Sequence, residues 1–226
     1  AHRGMSGLEM ENTASAFVAA GQRSYFGIET DVHRTADGEF IIIHDDRTGR
    51  VAGDDLPVEG TDFDTLRGLQ LLDTDGQKGR RDLMLPTLSE YLGICKKYEK
   101  IAVLELKNPF APDDIDRILA IVRASGWLER TVFISFCLDN LLHVRACLPD
   151  QPMQYLIEQR VPEDLADTLT RNRLDLDIDY HLVTPELVRQ LHALGVRVNV
   201  WTVNDADTAA RMAACGVDYI TTNILE

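Results

Sequence analysis

From residue 101 onward the chain alternates short β-branched runs with helical patterns, and that rhythm restricts it to a parallel sheet built from βα units. Ile101–Leu106 reads as a strand, and Asp113–Ser125 follows with Ile115, Ile118, Leu119 and Val122 at helical spacing before Gly126. Thr131–Phe136, Met153–Ile157, Leu174–Asp179, Arg197–Val203 and Val217–Thr221 read as further strands. Helices at Leu138–Cys147, Glu163–Arg171, Pro185–Leu194 and Asp205–Cys215 separate them, the third opened by Thr184 with proline at its first position. These six strands, with Phe26–Val32 upstream, make seven. A (β/α)8 barrel needs an eighth ahead of the helix Asn12–Gln22, so the first strand is expected to lie before Ala1 and to have been trimmed. One barrel domain over residues 1–226 is expected, with residues 45–84 as loops and a short helix near Phe63–Leu69 inserted at its mouth. Thr87 and Glu90 form a capping box that opens the helix Leu88–Tyr98.

Composition narrows the function classes. The net charge of −14 opposes a nucleic-acid partner, and an anionic substrate then needs a local positive site. No apolar run approaches the ~20 residues of a spanning helix. Cys95, Cys137, Cys147 and Cys215 lack paired spacing and sit in apolar stretches, which fits reduced thiols and a cytoplasmic setting. The abrupt start at Ala1 keeps a removed signal peptide as the alternative.

Chemistry concentrates at strand ends. In Gly27–His33 the side chains alternate, so Glu29, Asp31 and His33 share one face. Two carboxylates in a strand covered on both sides call for a cation between them, a metal or a basic side chain. The connection Thr35–Glu39 is too short for a crossover, so Phe40–His44 folds back as a hairpin extension after the second strand. A two-residue turn at Asp37-Gly38 sets His33 opposite Ile42 and Asp31 opposite His44. Glu105 and Lys107 share a face at the end of another strand, where barrel enzymes build their sites. Three carboxylates without a cysteine cluster suit one Mg2+ or Ca2+ ion. His2 and His44 both fall at strand ends, as a general base and general acid would; His143, His181 and His192 carry no role, and His33 stays open.

His2-Arg3-Gly4, Glu11-Asn12-Thr13, Glu29-x-Asp31, His44-Asp45, Glu105-x-Lys107 and Trp201-Thr202-Val203-Asn204, in this order over nearly the whole chain, resemble the glycerophosphodiester phosphodiesterase family. The resemblance implies a barrel enzyme of lipid and glycerol metabolism. It would release glycerol 3-phosphate and an alcohol from small deacylated phospholipids such as glycerophosphocholine or glycerophosphoethanolamine. It implies that Glu29, Asp31 and Glu105 hold the divalent metal, that His2 and His44 transfer protons, and that Arg3 and Lys107 bind phosphate. It places Glu11 as a metal ligand or a support to one, and Asn12 as an orienting hydrogen-bonder. Trp201 is a wall to the glycerol or a core aromatic, two readings that strand alternation leaves level. Attack by the glycerol 2-hydroxyl, through a cyclic phosphate, and attack by water both remain open.

The chain departs from the family pattern at Met10, where proline is usual, and after His44, where Asp45-Asp46-Arg47-Thr48-Gly49 replaces Asp-Pro and a longer threonine-rich loop. The second departure leaves head-group preference open. The chain also stops at Ile224-Leu225-Glu226 without a full eighth helix. Two other readings compete: a phospholipase D-type enzyme acting on lysophospholipids, for which the polar 45–82 segment offers no apolar lid, and a non-catalytic phosphate- or metal-binding barrel.

Overall fold

A computed structural model describes all residues, Ala1–Glu226. Seven parallel strands curl into a barrel: β1 (Gly27–Arg34), β3 (Ile101–Leu106), β4 (Thr131–Ser135), β5 (Met153–Ile157), β6 (Asp175–Asp179), β7 (Val198–Trp201) and β8 (Tyr219–Ile220). β2 (Phe40–Ile42) pairs antiparallel on the outer edge of β1. No strand precedes the first helix, α1 (Ala14–Gly21). Instead Ala1–Gly4 fill the gap between β8 and β1. Glu29 N donates to Ala1 O at 2.8 Å, Gly4 N to Glu29 O at 3.3 Å, and His2 N to Thr222 O at 2.8 Å. Ala1–Gly4 thus bridge the two strands that flank the eighth barrel position. Gly4 makes its close approach possible: its φ is +77°, and a Cβ there would come within 2.7 Å of the Ala16 backbone.

Local sequence accounts for the helical shell. α4 (Leu88–Lys97) opens with the capping box, Thr87 accepting from Glu90 N and Glu90 accepting from Thr87 N. α5 (Pro112–Ser125) begins with proline at its first position and ends on Gly126 in the left-handed region. α6 (Leu138–Cys147), α7 (Leu165–Asn172), α8 (Pro185–Ala193) and α9 (Ala206–Cys215) complete the shell after β4, β5, β6 and β7. Apart from β8, whose two residues are half-buried, the barrel strands are largely buried on both faces. Their outward residues, among them Ile28, Val32, Leu104 and Leu176, join the helices in one cluster of 35 buried side chains.

The hairpin departs from expectation by one residue. Val32 pairs with Ile42, His33 with Ile41 and Arg34 with Phe40. The turn holds three residues rather than two: Thr35 N donates to Glu39 O, and Gly38 closes the turn at φ +87°. Thr35 Oγ1 donates to Asp37 Oδ1 at 2.6 Å, which holds the wider turn closed.

Residues 45–85 carry two short helices, α2 (Gly49–Ala52) and α3 (Phe63–Arg67). They enclose a second cluster of nine buried residues, including Ile41, Ile43, Val51, Val58, Leu66 and Leu85, separate from the barrel core. No helix is long and apolar enough to cross a membrane.

Candidate active site

Strand register builds the centre of the site. β1 and β3 pair so that Asp31 lies beside Glu105, and Glu29 sits two residues earlier on the same face. Each of the three buried carboxylates offers an oxygen within 4.8 Å of those of the other two. Burial and the neighbouring Asp31 push Glu29 up to about 8 and Glu105 well above the carboxylate range. Burial acts on Asp31 too, but Lys107, His44, Arg3 and the Asn12 amide hold it below its ordinary value. Asp31 Oδ1 accepts no hydrogen bond and has Lys107 Nζ 3.5 Å away as its ionic neighbour. An all-oxygen donor set with one buried oxygen left without a hydrogen bond fits a hard divalent cation.

The supports converge on the same acids. Arg3, at φ +53°, turns its amide to donate to Glu29 Oε2 at 2.7 Å, while its guanidinium donates to Glu11 Oε1 at 3.0 Å. Asn12, also at φ +53°, donates through Nδ2 to Asp31 Oδ2 at 2.8 Å and accepts from Thr30 Oγ1 at 2.7 Å. Asparagine tolerates that backbone region better than most residues, and its side chain then spans two neighbours on β1. Lys107 Nζ lies 3.1 Å from Glu105 Oε1 and 3.5 Å from Asp31 Oδ1. Glu11 accepts from Arg3 and Arg50, so its carboxylate is spent on cations and lies outside the three-acid cluster.

Two imidazoles reach the site from different segments. His2 Nδ1 is 2.7 Å from Asn223 Oδ1, an acceptor that fixes the proton on Nδ1 and leaves Nε2 with a lone pair. Burial, reinforced by Arg3, lowers His2 to about 4, so its ring is neutral at ordinary pH. His44 follows β2, and its Nδ1 lies 2.6 Å from Asp45 Oδ1. Burial lowers His44 also, against the pull of Asp31 and Asp45. Arg50 donates to both Asp45 and Glu11 and so ties the segment carrying His44 to the segment carrying Arg3. His33 is buried between Glu59 Oε1, 3.3 Å from Nδ1, and the His44 carbonyl, 3.2 Å from Nε2, away from the acids.

A cavity of about 270 Å³ collects these groups: His2, Arg3, Glu29, His44, Glu105, Lys107 and Trp201 all line it. Asp31 lies beneath them, buried behind Lys107 and Arg3. Trp201 stands at the end of β7 with its ring edge-on to Phe136, centroids 5.8 Å apart, and its Nε1–H has no partner in the protein. The alternation that left Trp201 open is thereby resolved toward the cavity. Four further residues belong to the site. Phe136 ends the Thr131–Phe136 run that marks a strand, a position that signals a mouth residue. Glu158 follows β5 in the same way. Asp177 lies deeper, pushed up to about 7 by burial with Oδ1 unpartnered. Asn223 had no signal, because its contact with His2 spans 221 positions of sequence.

The sequence matches the Glycerophosphoryl diester phosphodiesterase family over residues 2–226. A glycerophosphodiester phosphodiesterase of Caldanaerobacter subterraneus is 29% identical over 227 residues, covering 99% of this chain and 92% of its own. A phosphodiesterase of Oleispira antarctica, solved with the product sn-glycerol-3-phosphate, superposes with a TM-score of 0.90 at 26% identity over 99% of this chain and 91% of its own. A glycerophosphodiester phosphodiesterase of Parabacteroides distasonis does so with a TM-score of 0.82 at 30% identity over 99% and 91%.

Proposed function

The chain belongs to the glycerophosphoryl diester phosphodiesterase family and is an enzyme of that class, and we propose that it hydrolyses small glycerophosphodiesters through His2 and His44. Glycerophosphocholine and glycerophosphoethanolamine are the proposed substrates, with glycerol 3-phosphate and an alcohol as products. The observation that carries this reading is the pair of imidazoles, each with Nδ1 engaged by a neighbouring oxygen, lining one small cavity above the three-acid cluster. The cavity is slightly below the ~300 Å³ at which pockets for drug-sized ligands begin, which suits a compact diester.

Glu29, Asp31 and Glu105 would hold the metal, Mg2+ or Ca2+. When bound, such an ion polarises a phosphoryl oxygen and eases deprotonation of an attacking hydroxyl. His2, neutral and with Nε2 free, takes the proton from the attacking oxygen, whether water or the glycerol 2-hydroxyl. His44, whose Nδ1–H is held by Asp45, presents Nε2–H to the departing alkoxide. A phosphodiester anion beside His44 favours the protonated ring and offsets the lowering caused by burial. Arg3 and Lys107 bind the phosphoryl oxygens as charge gathers on them. Trp201 and Phe136 form the apolar wall against the carbon side of glycerol. The four cysteines are unpaired, in keeping with a cytoplasmic enzyme.

The test is release of glycerol 3-phosphate from glycerophosphocholine and glycerophosphoethanolamine. EDTA is expected to abolish it, and Mg2+ or Ca2+ to restore it. His2→Ala and His44→Ala should each lower kcat by about 10²–10⁴ while the fold is kept. A folded, metal-loaded protein that releases nothing from any glycerophosphodiester overturns the proposal. Diesters lacking the glycerol 2-hydroxyl separate the two nucleophiles: unimpaired turnover identifies water.

A further inference from the structure

On the outer face of the barrel, α5 and α6 bring three ligand-type side chains to one point. Asp116 stands on α5; His143 and Cys147, four residues apart, share one face of α6. His143 Nε2 is 2.9 Å from Asp116 Oδ1, and Cys147 Sγ is 3.4 Å from that oxygen and 3.6 Å from that nitrogen. A tetrahedral zinc site with Zn–S of about 2.3 Å and Zn–N or Zn–O of about 2.0–2.2 Å has ligand-to-ligand edges of about 3.3–3.6 Å. The sulfur–nitrogen edge stands at its coordinated length and the sulfur–oxygen edge about 0.1–0.2 Å inside it. The third is shorter still, and all three are hydrogen bonds that a bound cation would replace.

The same distances argue against a nucleophilic relay. In a cysteine–histidine–carboxylate relay, thiol and carboxylate meet opposite nitrogens of the ring. Here both meet Nε2, so the three donors converge on a point rather than line up. The point is also open, with about a quarter of the His143 side chain and over half of Asp116 exposed (27% and 57%). Arg123, on the same helix as Asp116, is near enough to both Asp116 and Cys147 to weaken a cation's hold.

We propose that Asp116, His143 and Cys147 form a three-ligand site for Zn2+ or a similarly soft divalent cation, with a fourth position left to water. Binding displaces the thiol proton of Cys147 to solvent, takes His143 as the neutral ring, and clips α5 to α6. The donor chemistry separates this site from the cavity at the barrel mouth. Sulfur and nitrogen donors select Zn2+ and Co2+, whereas the all-oxygen cluster suits Mg2+ or Ca2+.

The test is titration of the reduced protein with Co2+ in the presence of saturating Mg2+. Sulfur-to-cobalt charge-transfer absorption reports only cysteine-bound metal, and the mouth holds no cysteine. One equivalent is expected to develop the band, Zn2+ to bleach it, and Cys147→Ser or His143→Ala to remove it. Asp116→Asn should weaken it. Zn2+ at a hundredfold excess over its Kd should raise Tm by roughly 5–10 °C in the parent and leave Cys147→Ser unmoved. Absence of the band, or a band that survives Cys147→Ser, overturns the proposal. Should the serine variant not fold, alkylation of Cys147 in the parent decides instead: Zn2+ protects this thiol if the site is real, and unchanged labelling overturns it.

Discussion

Glu29 carries the sharpest conflict in the molecule, since it is buried, acidic and beside another acid. Its folded pKa of about 8 stands above the ordinary 4.5, so its contribution to stability is whole below about pH 4.5 and is lost as pH rises through about 8. Metal-free protein should therefore melt at progressively lower temperature between those limits, and a divalent cation should restore it. Glu29→Gln is expected to flatten this slope and raise Tm at pH 8 by about 3 °C or more in EDTA, while abolishing activity. A fall in Tm for that variant would show that Arg3 and its neighbours already satisfy the charge. That Glu29, Asp31 and Glu105 come together was legible in the sequence, because strand alternation and strand-end position need no tertiary knowledge. That His2 and His44 line a cavity with Glu29 and Glu105 followed from their expected places at strand ends. Asp177 was not: an acid in an ordinary buried strand gives no sign that its Oδ1 will lack a partner. Asn223 was not either, since only closure of the barrel brings it to His2.

The hairpin and the segment after it set the geometry of one histidine. β2 hands His44 to Asp45, and Arg50 clamps Asp45 against Glu11. Asp45→Asn removes a carboxylate that favours the protonated ring, so the alkaline limb of the kcat profile should move to lower pH, with kcat reduced about tenfold. Asp45→Glu is expected to recover part of both. An unmoved alkaline limb would assign it to another group. Most elements were legible in outline. Ile101–Leu106, Leu138–Cys147 and Met153–Ile157 emerged with their bounds intact, each bracketed by turn or cap residues. The helix Gly49–Ala52 has four residues, too few to display a period. The hairpin slipped by one because Asp37-Gly38 fits a two-residue turn and a three-residue turn alike. Thr35, by bonding Asp37, decides between them.

Across the whole molecule the barrel is unevenly sewn. β1 and β3 share six paired positions, whereas β8 is two residues long and the residues after it meet the N-terminal segment through isolated bonds such as His2 N to Thr222 O and Gly7 N to Asn223 O. Amide exchange should accordingly be faster at His2 and Gly7 than within β3. Because His2 lies on that seam, activity is expected to fade on heating before the far-UV dichroism changes; coincident curves would contradict it. The barrel class was legible from the βα rhythm. The place of the eighth strand was legible too: Ala1–Gly4 bond to both β1 and the residues after β8, where the first strand was expected to end. The two apolar clusters lead somewhere else. The acids and His2 are founded on the large one, whereas residues 45–85, tied to the site through Asp45 and Arg50, fold around a small one of their own. Natural or laboratory evolution can therefore exchange that segment like a fitted part without recutting the barrel, provided the hold of Asp45 and Arg50 on His44 and Glu11 is carried across with it.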